Sequence, residues 1–400
     1  MRVVVAGEAR FARTPDGAVW TCTGQDYSFW TTYLSAFDEV RVVARAADVA
    51  SPAAGAKRVT GPGVELWAVP HYLGPYQYAL RRSAVNRAIS GSAGADDAVI
   101  LRVPSLIGTT LATSRTRQRL PYALEVVGDP YDVFAPGAVR HPLRPVLRSW
   151  FVGHLRRQCA SAIGVGYVTQ RFLQARYPAG AGALTAAVSD VDLDAASYVP
   201  VARSAEQTRR ATTLVSVGLL EQPYKGLDTL IDALVRLSTS RPRLRWVHIG
   251  DGRCRPELQR LAHRCGLADR VVFAGILPAG DAVRQHLDAA DLFVMPSHTE
   301  GLPRALIEAM ARALPAIGSN VGGIPELLPA EFLVAPRDPV RLAAAIDTLI
   351  SQPELMAVAS ARNLARAREF CAERLVGQRI AYYQAVAEAT AGRSVNRSYA

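Results

Sequence analysis

Short runs of apolar, largely β-branched residues recur along the chain and alternate with stretches of helical character. Continuous apolar runs of this kind are typical of parallel strands that are covered by helices on both faces. The pattern runs once through the first half and then restarts, so the sequence predicts an α/β fold with two doubly wound, Rossmann-like domains. The predicted strands are 2–7, 40–45, 64–70, 98–104, 122–128 and 162–168, followed by 212–218, 244–252, 270–275, 291–297, 315–319 and 331–336.

The stretch between the two sets of strands loses this alternation. It gains Ser, Asp and Pro, which favours a linker, and 400 residues are enough for two domains. We therefore predict an N-terminal domain over 1–195, a linker over 196–210 and a C-terminal domain over 211–370. The amphipathic segment 371–390 is predicted to be a helix that either closes the second domain or crosses back to the first.

Composition excludes several classes of protein. Half of the residues are apolar and low-complexity tracts are absent from the sequence, which argues against disordered and fibrous proteins. The apolar run before Glu8 is too short for a signal peptide, and no run approaches the roughly 18 residues of a spanning helix, so a cytoplasmic location is expected. The five cysteines lack the spacing of a zinc site or a disulfide framework.

The charge is positive and unevenly distributed. The net charge is +11, and the segment Arg81–Arg176 holds 14 basic and 5 acidic residues. The arginines either keep the surface soluble or attract an anionic partner such as a membrane or a phosphorylated acceptor. Within 141–158, arginines interleave with Trp150 and other apolar residues, which suits a basic helix at a membrane surface or a core helix with a solvated side. The sequence shows no nucleic-acid-binding module, so no nucleic-acid partner is expected.

The stretch MPSHTEGLPRALIEAMARAL carries two glutamates in an otherwise apolar context. Pro303 suits the first position of a helix, which puts Glu300 in the preceding loop. The amides at such a helix start favour an anion, and a diphosphate is a natural occupant. Glu308 lies inside the helix, where a carboxylate needs donors such as the two hydroxyls of a ribose. A salt-bridged Glu308 and a surface Glu300 remain the alternative.

A second motif is VGLLEQPYKG, in which a strand ends at Gly218 and a loop carries Lys225 before the next helix. A lysine at the mouth of this domain would supply a positive charge for a phosphate, although a solvated loop lysine is the simpler interpretation. The order of residues is not that of a Walker A loop. IGDG and VGGIPEL are further glycine turns where strands end. The acidic triplet Asp190, Asp192 and Asp194 lacks the rest of a calcium loop, so no metal site is predicted.

Taken in order, YKG, HIGDG, VVFAGIL, HTEGLPRALIEAM and VGGIPEL resemble the retaining glycosyltransferases of family four. The segment SDVDLDAASYVP resembles the bridge between the two domains of that family. The resemblance implies the GT-B fold, with the two domains facing each other across a cleft. It also implies transfer of a sugar from a nucleotide diphosphate sugar to an acceptor hydroxyl, with retention at the anomeric carbon. Neither a metal nor another cofactor is implied.

The resemblance also implies roles for residues. Glu300 would contact hydroxyls of the donor sugar, Glu308 the ribose and Lys225 the diphosphate, while Gly24 in the first domain would approach the phosphate. Glu300 and Lys225 are the candidates closest to the chemistry. The remaining donor-binding candidates are Gly218, Gly250, Asp251, Ile276, Leu277, Gly301, Leu302, Pro303 and Arg304.

The sequence departs from the family at two places. Leu219 stands where the family usually has an arginine for the diphosphate, so that another basic residue, such as Arg253 or Arg304, would have to replace it. The first-domain histidine is missing, and Asp129 is the nearest candidate, with Tyr27 and Trp30 as further acceptor-side residues. The acceptor is expected to be lipid-linked, a polysaccharide or a small molecule.

Two other functions stay open. A non-catalytic relative that binds a nucleotide sugar or an anionic polymer would share these motifs. A nicotinamide-dependent oxidoreductase would need a G-x-G-x-x-G turn after the first strand, which VVVAGEARF does not provide.

Overall fold

The computed structural model describes residues 1–134, 142–191, 193–278 and 280–398, with only the backbone of Pro75 and 393–398. By its internal contacts the chain divides into two units. The first unit comprises Met1–Asp129, Ser149–Asp190 and Val376–Ala400, and the second comprises Pro130–Arg148 and Val191–Leu375.

The first unit is built on a parallel sheet that contains every strand predicted for this part of the chain. Within the described residues its parallel order is β5-β3-β1-β6-β7-β8-β9, of which the sequence analysis missed β9. It also missed two short strands, β2 and β4, which extend the end of β1 with antiparallel pairing. All residues of β6 are buried, as expected of a strand covered on both faces. The strands are β1 (Arg2–Arg13), β2 (Val19–Thr21), β3 (Glu39–Asp48), β4 (Lys57–Arg58), β5 (Val64–Pro70), β6 (Ala98–Val103), β7 (Ala123–Val126), β8 (Gly164–Tyr167) and β9 (Leu184–Ala187).

Helices make most of the connections between these strands, as is usual for parallel pairing, whereas β3 and β5 are joined by a segment that contains β4. Ser105 caps the start of one of them by accepting a hydrogen bond from the Gly108 amide. The helices before residue 190 are α1 (Tyr27–Thr31), α2 (Gly74–Ser90), α3 (Leu106–Arg117), α4 (Pro130–Val133), α5 (Arg144–Ser161) and α6 (Phe172–Arg176).

The second unit has its own parallel sheet, in the order β12-β11-β10-β13-β14-β15. The middle of this sheet is the junction of β10 and β13, from which strand order runs outward in both directions, so that the loops following these two strands are neighbours. The strands are β10 (Thr213–Val217), β11 (Arg245–Ile249), β12 (Val271–Gly275), β13 (Leu292–Met295), β14 (Ala316–Ser319) and β15 (Leu333–Val334). The helices are α7 (Ala205–Thr208), α8 (Leu227–Leu237), α9 (Arg255–Arg264), α10 (Asp281–Asp288), α11 (Arg304–Ala311), α12 (Ile324–Leu327), α13 (Pro339–Ser351) and α14 (Pro353–Arg368).

The last helix, α15 (Ala372–Ser398), begins in the second unit, and its residues from Val376 onward belong to the first. The Tyr382 hydroxyl donates to the Leu124 carbonyl at 2.7 Å. The Tyr383 ring stacks on Tyr33 with 4.4 Å between centroids. These contacts make the end of the chain part of the core of the first unit.

The stretch 196–210, predicted as a linker, is grouped with the second unit and includes α7. Among the described residues, no single helix combines the length and apolar character needed to cross a membrane. The pair α13 and α14, bent by 100°, meets those criteria only when the two are taken together.

Candidate active site

Lys225 and Glu300 meet in the second unit. Each follows one of the two adjacent central strands, β10 and β13, so the sheet brings their loops together. The Lys225 ammonium donates to Glu300 Oε1 at 2.7 Å, and the Ser297 hydroxyl donates to the same oxygen at 2.7 Å. Burial is the largest single influence and lowers the pKa of Lys225, but the charge and hydrogen bond of Glu300, together with smaller contributions from Tyr224, outweigh burial and the pKa is raised. The lysine is therefore cationic, and Glu300 is not the surface residue of the alternative interpretation, since its side chain is 10% exposed.

A pair of glycines holds the Glu300 loop at the start of α11. A Cβ on Gly322, which has φ 56°, would lie 1.8 Å from the Glu300 carbonyl oxygen, and the Gly323 amide donates to Gly301 O at 2.8 Å. Pro303 is the N-cap, so α11 begins one residue later than expected, at Arg304. The amides of Leu306 and Ile307 donate to Pro303 O at 3.2 and 3.4 Å, whereas the first two amides of α11, those of Arg304 and Ala305, precede any possible intrahelical bond. These two amides lie directly after the Glu300 loop, as an anion site requires.

Glu308 is half-buried in α11, one turn after Arg304. Among the described residues its carboxylate has no hydrogen-bond or ion-pair partner, so the predicted alternative of a salt bridge is not observed. Burial raises the pKa of Glu308, against a smaller opposing effect of the Arg304 charge. The carboxylate therefore retains its full capacity to accept hydrogen bonds from a ligand.

Gly218 and Gly250 lie at the ends of adjacent strands, β10 and β11, where their backbones touch. A Cβ on Gly250 would be 2.0 Å from the Gly218 carbonyl oxygen, which explains the glycine in IGDG. Asp251 accepts from the Gly252 amide at 2.8 Å and pairs with Arg255 at 2.6 Å. These two contacts, the amide first, lower its pKa, so Asp251 is an ionised residue that shapes the turn.

Ile276 and Leu277 follow β12, the next strand of the same sheet. The Gly250 amide donates to Gly275 O at 2.8 Å, which brings this loop beside the IGDG turn. Ile276 is 73% exposed and Leu277 is half-buried, so both offer apolar surface at this edge of the sheet.

His248 is a residue that the sequence analysis missed. Its Nε2 lies 3.0 Å from the Gly218 carbonyl, which can only accept, so Nε2 carries the hydrogen. Nδ1 then accepts from the Ser216 hydroxyl at 2.8 Å, and Ser216 accepts from Trp246 Nε1 at 2.9 Å. Burial lowers the pKa of His248 to about 4. A neutral His248 therefore holds the Gly218 carbonyl in place. In the sequence, the only sign of this role is the position of His248 at the end of an apolar strand, before a glycine turn.

Leu219 is 57% exposed. Arg253 and Arg304, the two residues proposed to replace the missing arginine, are also exposed. Arg253 pairs at 3.3 Å with Glu221, and both side chains are mostly exposed. Arg304 is exposed at the start of α11. Lys225 is thus the buried cation of this site among the described residues.

Comparison with known proteins agrees with this geometry. Residues 211–352 match the family model described as "Glycosyl transferases group 1". This part of the chain is similar in sequence to the glycosyl transferases group 1. The match covers β10 to the end of α13 and includes every candidate of the second unit.

Curated relatives include Protein CapJ of Staphylococcus aureus, 25% identical over 82% of this chain and 81% of that protein. The D-inositol 3-phosphate glycosyltransferase of Geodermatophilus obscurus is 34% identical over 51% of this chain and 48% of that protein. A GDP-mannose-dependent alpha-(1-6)-phosphatidylinositol monomannoside mannosyltransferase of Mycobacterium tuberculosis is 36% identical over 40% and 43%, respectively. The chain therefore spans less than half the length of the last two relatives.

Solved structures extend the likeness to both units. Sucrose-phosphate synthase from Thermosynechococcus elongatus aligns with a TM-score of 0.71 and 18% identity, over 97% of this chain and all of that one. HepE of Anabaena in complex with UDP-glucose aligns with a TM-score of 0.64 and 19% identity, over 98% of this chain and all of that one. The predicted GT-B fold is confirmed.

The candidates of the first unit, donor-side Gly24 and acceptor-side Tyr27 and Trp30, differ in exposure. Gly24 is exposed, and a Cβ there would meet nothing within 4 Å. Tyr27 is half-buried and donates its hydroxyl to Pro62 O at 2.8 Å. Trp30 is 2% exposed and donates to Gln25 O, so its ring does not offer a face to a sugar. We therefore revise Trp30 to a core residue. The rings around it are Phe11, Phe29 and Tyr33.

Asp129 is likewise a structural residue. Its side chain is 1% exposed, forms an ion pair with Arg176 and accepts a hydrogen bond from the Tyr177 hydroxyl. A carboxylate engaged in this way does not present itself to an acceptor, and the expectation of a direct contact is not supported.

The acidic triplet is partly described, because Asp192 lies outside the described residues. Asp190 pairs with Arg102 at 2.6 Å, and Asp194 accepts from the Ser197 hydroxyl at 2.7 Å. In the described part of the chain, no three His, Cys, Asp or Glu side chains are arranged to hold a metal ion.

Proposed function

We propose that this protein transfers a sugar from a nucleotide diphosphate sugar to an acceptor hydroxyl, with retention at the anomeric carbon. The observation that carries the proposal is the contact of Lys225 with Glu300 beside the start of α11, inside the segment that matches the family. A cation, a carboxylate and unpaired helix amides together suit a donor that carries both phosphates and sugar hydroxyls.

The donor would be held by groups that differ in charge. Lys225 and the first amides of α11 would bind the diphosphate, and Gly301 to Arg304 would allow its close approach. Glu300 would accept from hydroxyls of the sugar, and Glu308 from the ribose, because its carboxylate has no other partner among the described residues. Ile276 and Leu277 would lie against the base, since their exposed apolar surface is at the same edge of the sheet.

The reaction breaks the bond between the anomeric carbon and the diphosphate oxygen, and the electron pair stays with the diphosphate. Lys225 and the α11 amides would stabilise the charge that develops there. The acceptor oxygen forms the new bond on the same face, and its proton passes to the departing diphosphate oxygen. Because this proton acceptor comes from the substrate, the proposal requires no metal, no other cofactor and no protein base.

The acceptor is proposed to be a polysaccharide, a glycolipid or a small molecule of secondary metabolism. One relative is named for an inositol phosphate and another for a phosphatidylinositol monomannoside, so the names alone include soluble and lipid acceptors. We propose a cytoplasmic location, with α5 at the inner face of the membrane. Along α5 and the turn before it, Leu143, Val146 and Trp150 are 59%, 65% and 40% exposed, with Arg156 and Arg157 on the same helix.

A second candidate is a relative that binds the donor without turning it over. Leu219 favours this candidate, because it removes the arginine that the family resemblance leads us to expect beside the diphosphate. The nicotinamide-dependent oxidoreductase has no such support.

The decisive experiment is a thermal-shift and turnover screen of the full chain against a panel of nucleotide sugars. A specific stabilisation would identify the donor, and release of the nucleoside diphosphate, with or without an added acceptor, would show catalysis. Glu300→Gln should abolish turnover while the fold is retained, and Glu354→Gln, an exposed change on α14, should not. Turnover that is unchanged in Glu300→Gln would refute the assignment, and donor binding without turnover in the parent protein would establish the second candidate.

A further inference from the structure

Two arginines of the first unit lie side by side at the end of its sheet. The register of β1 against β3 pairs Arg10 directly with Arg45. Like charges in this position are unfavourable unless something compensates for them. Arg45 is 6% exposed and contacts Glu8 twice, at the carbonyl oxygen and at carboxylate Oε2, both at 2.8 Å. Arg10 has no hydrogen-bond or ion-pair partner among the described residues.

Two further groups bring positive charge to the same place. His71 follows β5, the neighbour of β3, and Arg81 on α2 donates to the His71 carbonyl at 2.5 Å. Burial and then the charges of Arg45, Arg10 and Arg81 lower the pKa of His71. All three guanidinium groups are therefore close enough to His71 to disfavour its protonation.

The carboxylate in this cluster is already engaged. Glu8 Oε1 accepts from the amides of Leu106 and Ile107 at 2.7 and 3.2 Å, and so caps α3, while Oε2 pairs with Arg45. Within the described ranges, Glu8 is thus the one carboxylate that forms an ion pair with these three arginines. The Tyr72 hydroxyl, on a residue that is 3% exposed, has no hydrogen-bond partner in the part of the chain that the structure describes, and its ring lies 4.6 Å from the Arg45 guanidinium. A buried hydroxyl without a hydrogen-bond partner thus lies beside guanidinium groups that outnumber the carboxylates, and an anion would complete this arrangement.

We propose that Arg10, Arg45, His71 and Arg81 form a binding site for a phosphate group, which we call the basic edge site. The proposal rests on the proposed function, in that the phosphate would belong to the acceptor. Guanidinium groups bind phosphate oxygens through paired hydrogen bonds, and the carboxyl edge of a parallel sheet is where ligands of such folds bind. The strands that carry the site, β1, β3 and β5, are parallel neighbours.

The phosphate can come from a soluble molecule or from a lipid headgroup. Beside the site, Leu73, Tyr76 and Leu80 are 50%, 76% and 70% exposed at a spacing that places them along one face of α2 and its N-cap. A lipid chain would cover this stripe, whereas a soluble phosphate would leave it in water.

The first test measures binding of inorganic phosphate to the full chain by calorimetry and by the NMR signals of the His71 ring. We expect saturable binding that raises the pKa of His71, and a loss of roughly tenfold or more in affinity in Arg10→Gln and in Arg81→Gln. Arg87→Gln is the matched control, because this exposed arginine lies on α2 about 9 Å further along the helix axis. Absence of saturable binding to the parent protein, or equal losses in all three variants, would overturn the proposal.

The second test assigns the source of the phosphate with vesicles of phosphatidylglycerol or phosphatidylcholine. Phosphatidylglycerol binding that is lost in both Arg81→Gln and Leu80→Ser would support a lipid headgroup, and phosphate binding without vesicle binding would support a soluble acceptor. Nucleotide-sugar binding is measured on the same variants. If phosphate does not bind while nucleotide sugars do, only the basic edge site is refuted. If nucleotide sugars do not bind while phosphate does, the proposed function is refuted and the site stands as an anion site.

Discussion

Lys225 and Glu300 lie 75 positions apart in the sequence, and the ammonium of one contacts the carboxylate of the other at 2.7 Å. Both side chains are largely buried, at 15% and 10% exposure. In such an environment each charge depends on the other, because removal of one partner leaves the other without compensation. The pair therefore positions two groups that the proposed function assigns to different parts of the donor.

The first prediction concerns this dependence. Lys225→Met should destabilise the protein by about 3 kcal/mol, because Glu300 would keep only Ser297 as a partner. The double variant Lys225→Met/Glu300→Gln should be more stable than Lys225→Met alone, since neither charge remains. Urea unfolding of the parent, the two single variants and the double variant measures the coupling. The exposed pair Glu206–Arg209 is the control and should show almost none. Additive effects at Lys225 and Glu300 would contradict the dependence.

The second prediction concerns pH and Glu308. Its pKa is raised from the ordinary 4.5, so the folded protein holds this proton more tightly than the unfolded chain, and ionisation costs stability. The cost is absent below pH 4.5 and grows as pH rises through the raised pKa. Glu308→Gln should therefore stabilise the ligand-free protein at pH 7 by on the order of 1 kcal/mol, and have little effect at pH 4. Thermal unfolding at the two pH values measures this difference.

The same variant should bind nucleotide sugars roughly tenfold or more weakly, because the ribose would lose a charged acceptor. Glu354→Gln should change neither property. Tight donor binding by Glu308→Gln would remove the proposed ribose contact while leaving the stability argument intact.

The third prediction distinguishes two effects of adding a Cβ at a glycine with positive φ, which are collision with a neighbouring atom and strain in the backbone. Gly322→Ala should reduce kcat/KM by about a hundredfold, because its Cβ would collide with the Glu300 carbonyl and displace that loop. Gly266→Ala is the matched control. Gly266 also has a positive φ, 69°, but a Cβ there would meet nothing within 4 Å, so only the conformational cost of about 1 kcal/mol is expected. Equal effects of the two changes on activity would show that the contact with Glu300 is unimportant.

The fourth prediction concerns Leu219, which is 57% exposed one residue after Gly218. Leu219→Arg should add a cation for the diphosphate and tighten nucleotide-sugar binding by roughly tenfold. Leu219→Gln, which is polar but uncharged, should not. Calorimetry at two salt concentrations measures the effect, which should shrink at high salt. An unchanged affinity in Leu219→Arg would place the diphosphate away from this position.

The fifth prediction concerns His248. Its pKa of about 4 lies below the ordinary 6.5, so the unfolded chain binds this proton more readily. The contribution of His248 to stability is full above pH 6.5 and is lost as pH falls toward 4. Ring ¹⁵N NMR shifts should report the neutral form with hydrogen on Nε2 throughout pH 5 to 8. A protonated ring at pH 6 would contradict the hydrogen-bond chain from Trp246.

Much of the fold could be predicted because parallel strands are covered on both faces and are apolar without interruption. The contact of Lys225 with Glu300 was implied in part by the same logic, since both residues follow strands on the ligand side of the sheet. The sequence could not show that β10 and β13 are neighbours, because strand order depends on long-range packing. Thus the candidate residues could be named from the sequence, and the contact between Lys225 and Glu300 could not.

The first unit shows where such reasoning fails. Trp30 and Asp129 were expected to be accessible, but Trp30 lies in α1 and both side chains are buried by partners that are remote in sequence or non-polar. Asp129 is paired with residues 47 and 48 positions away. Trp30 is enclosed by aromatic rings. Residue type alone does not distinguish an aromatic side chain that packs in a core from one that binds a sugar. Arg10 and Arg45 were overlooked because they lie in different strands and only the register of β1 against β3 brings them together.

The passage of α15 into the first unit has a consequence for recombination between related genes. A single crossover after residue 190 would replace the second unit together with the tyrosines that complete the core of the first. Exchange of Val191–Leu375 as an internal cassette would keep Tyr382 and Tyr383 with Leu124 and Tyr33. Hybrid enzymes with altered donor preference should therefore be obtained with two junctions rather than one.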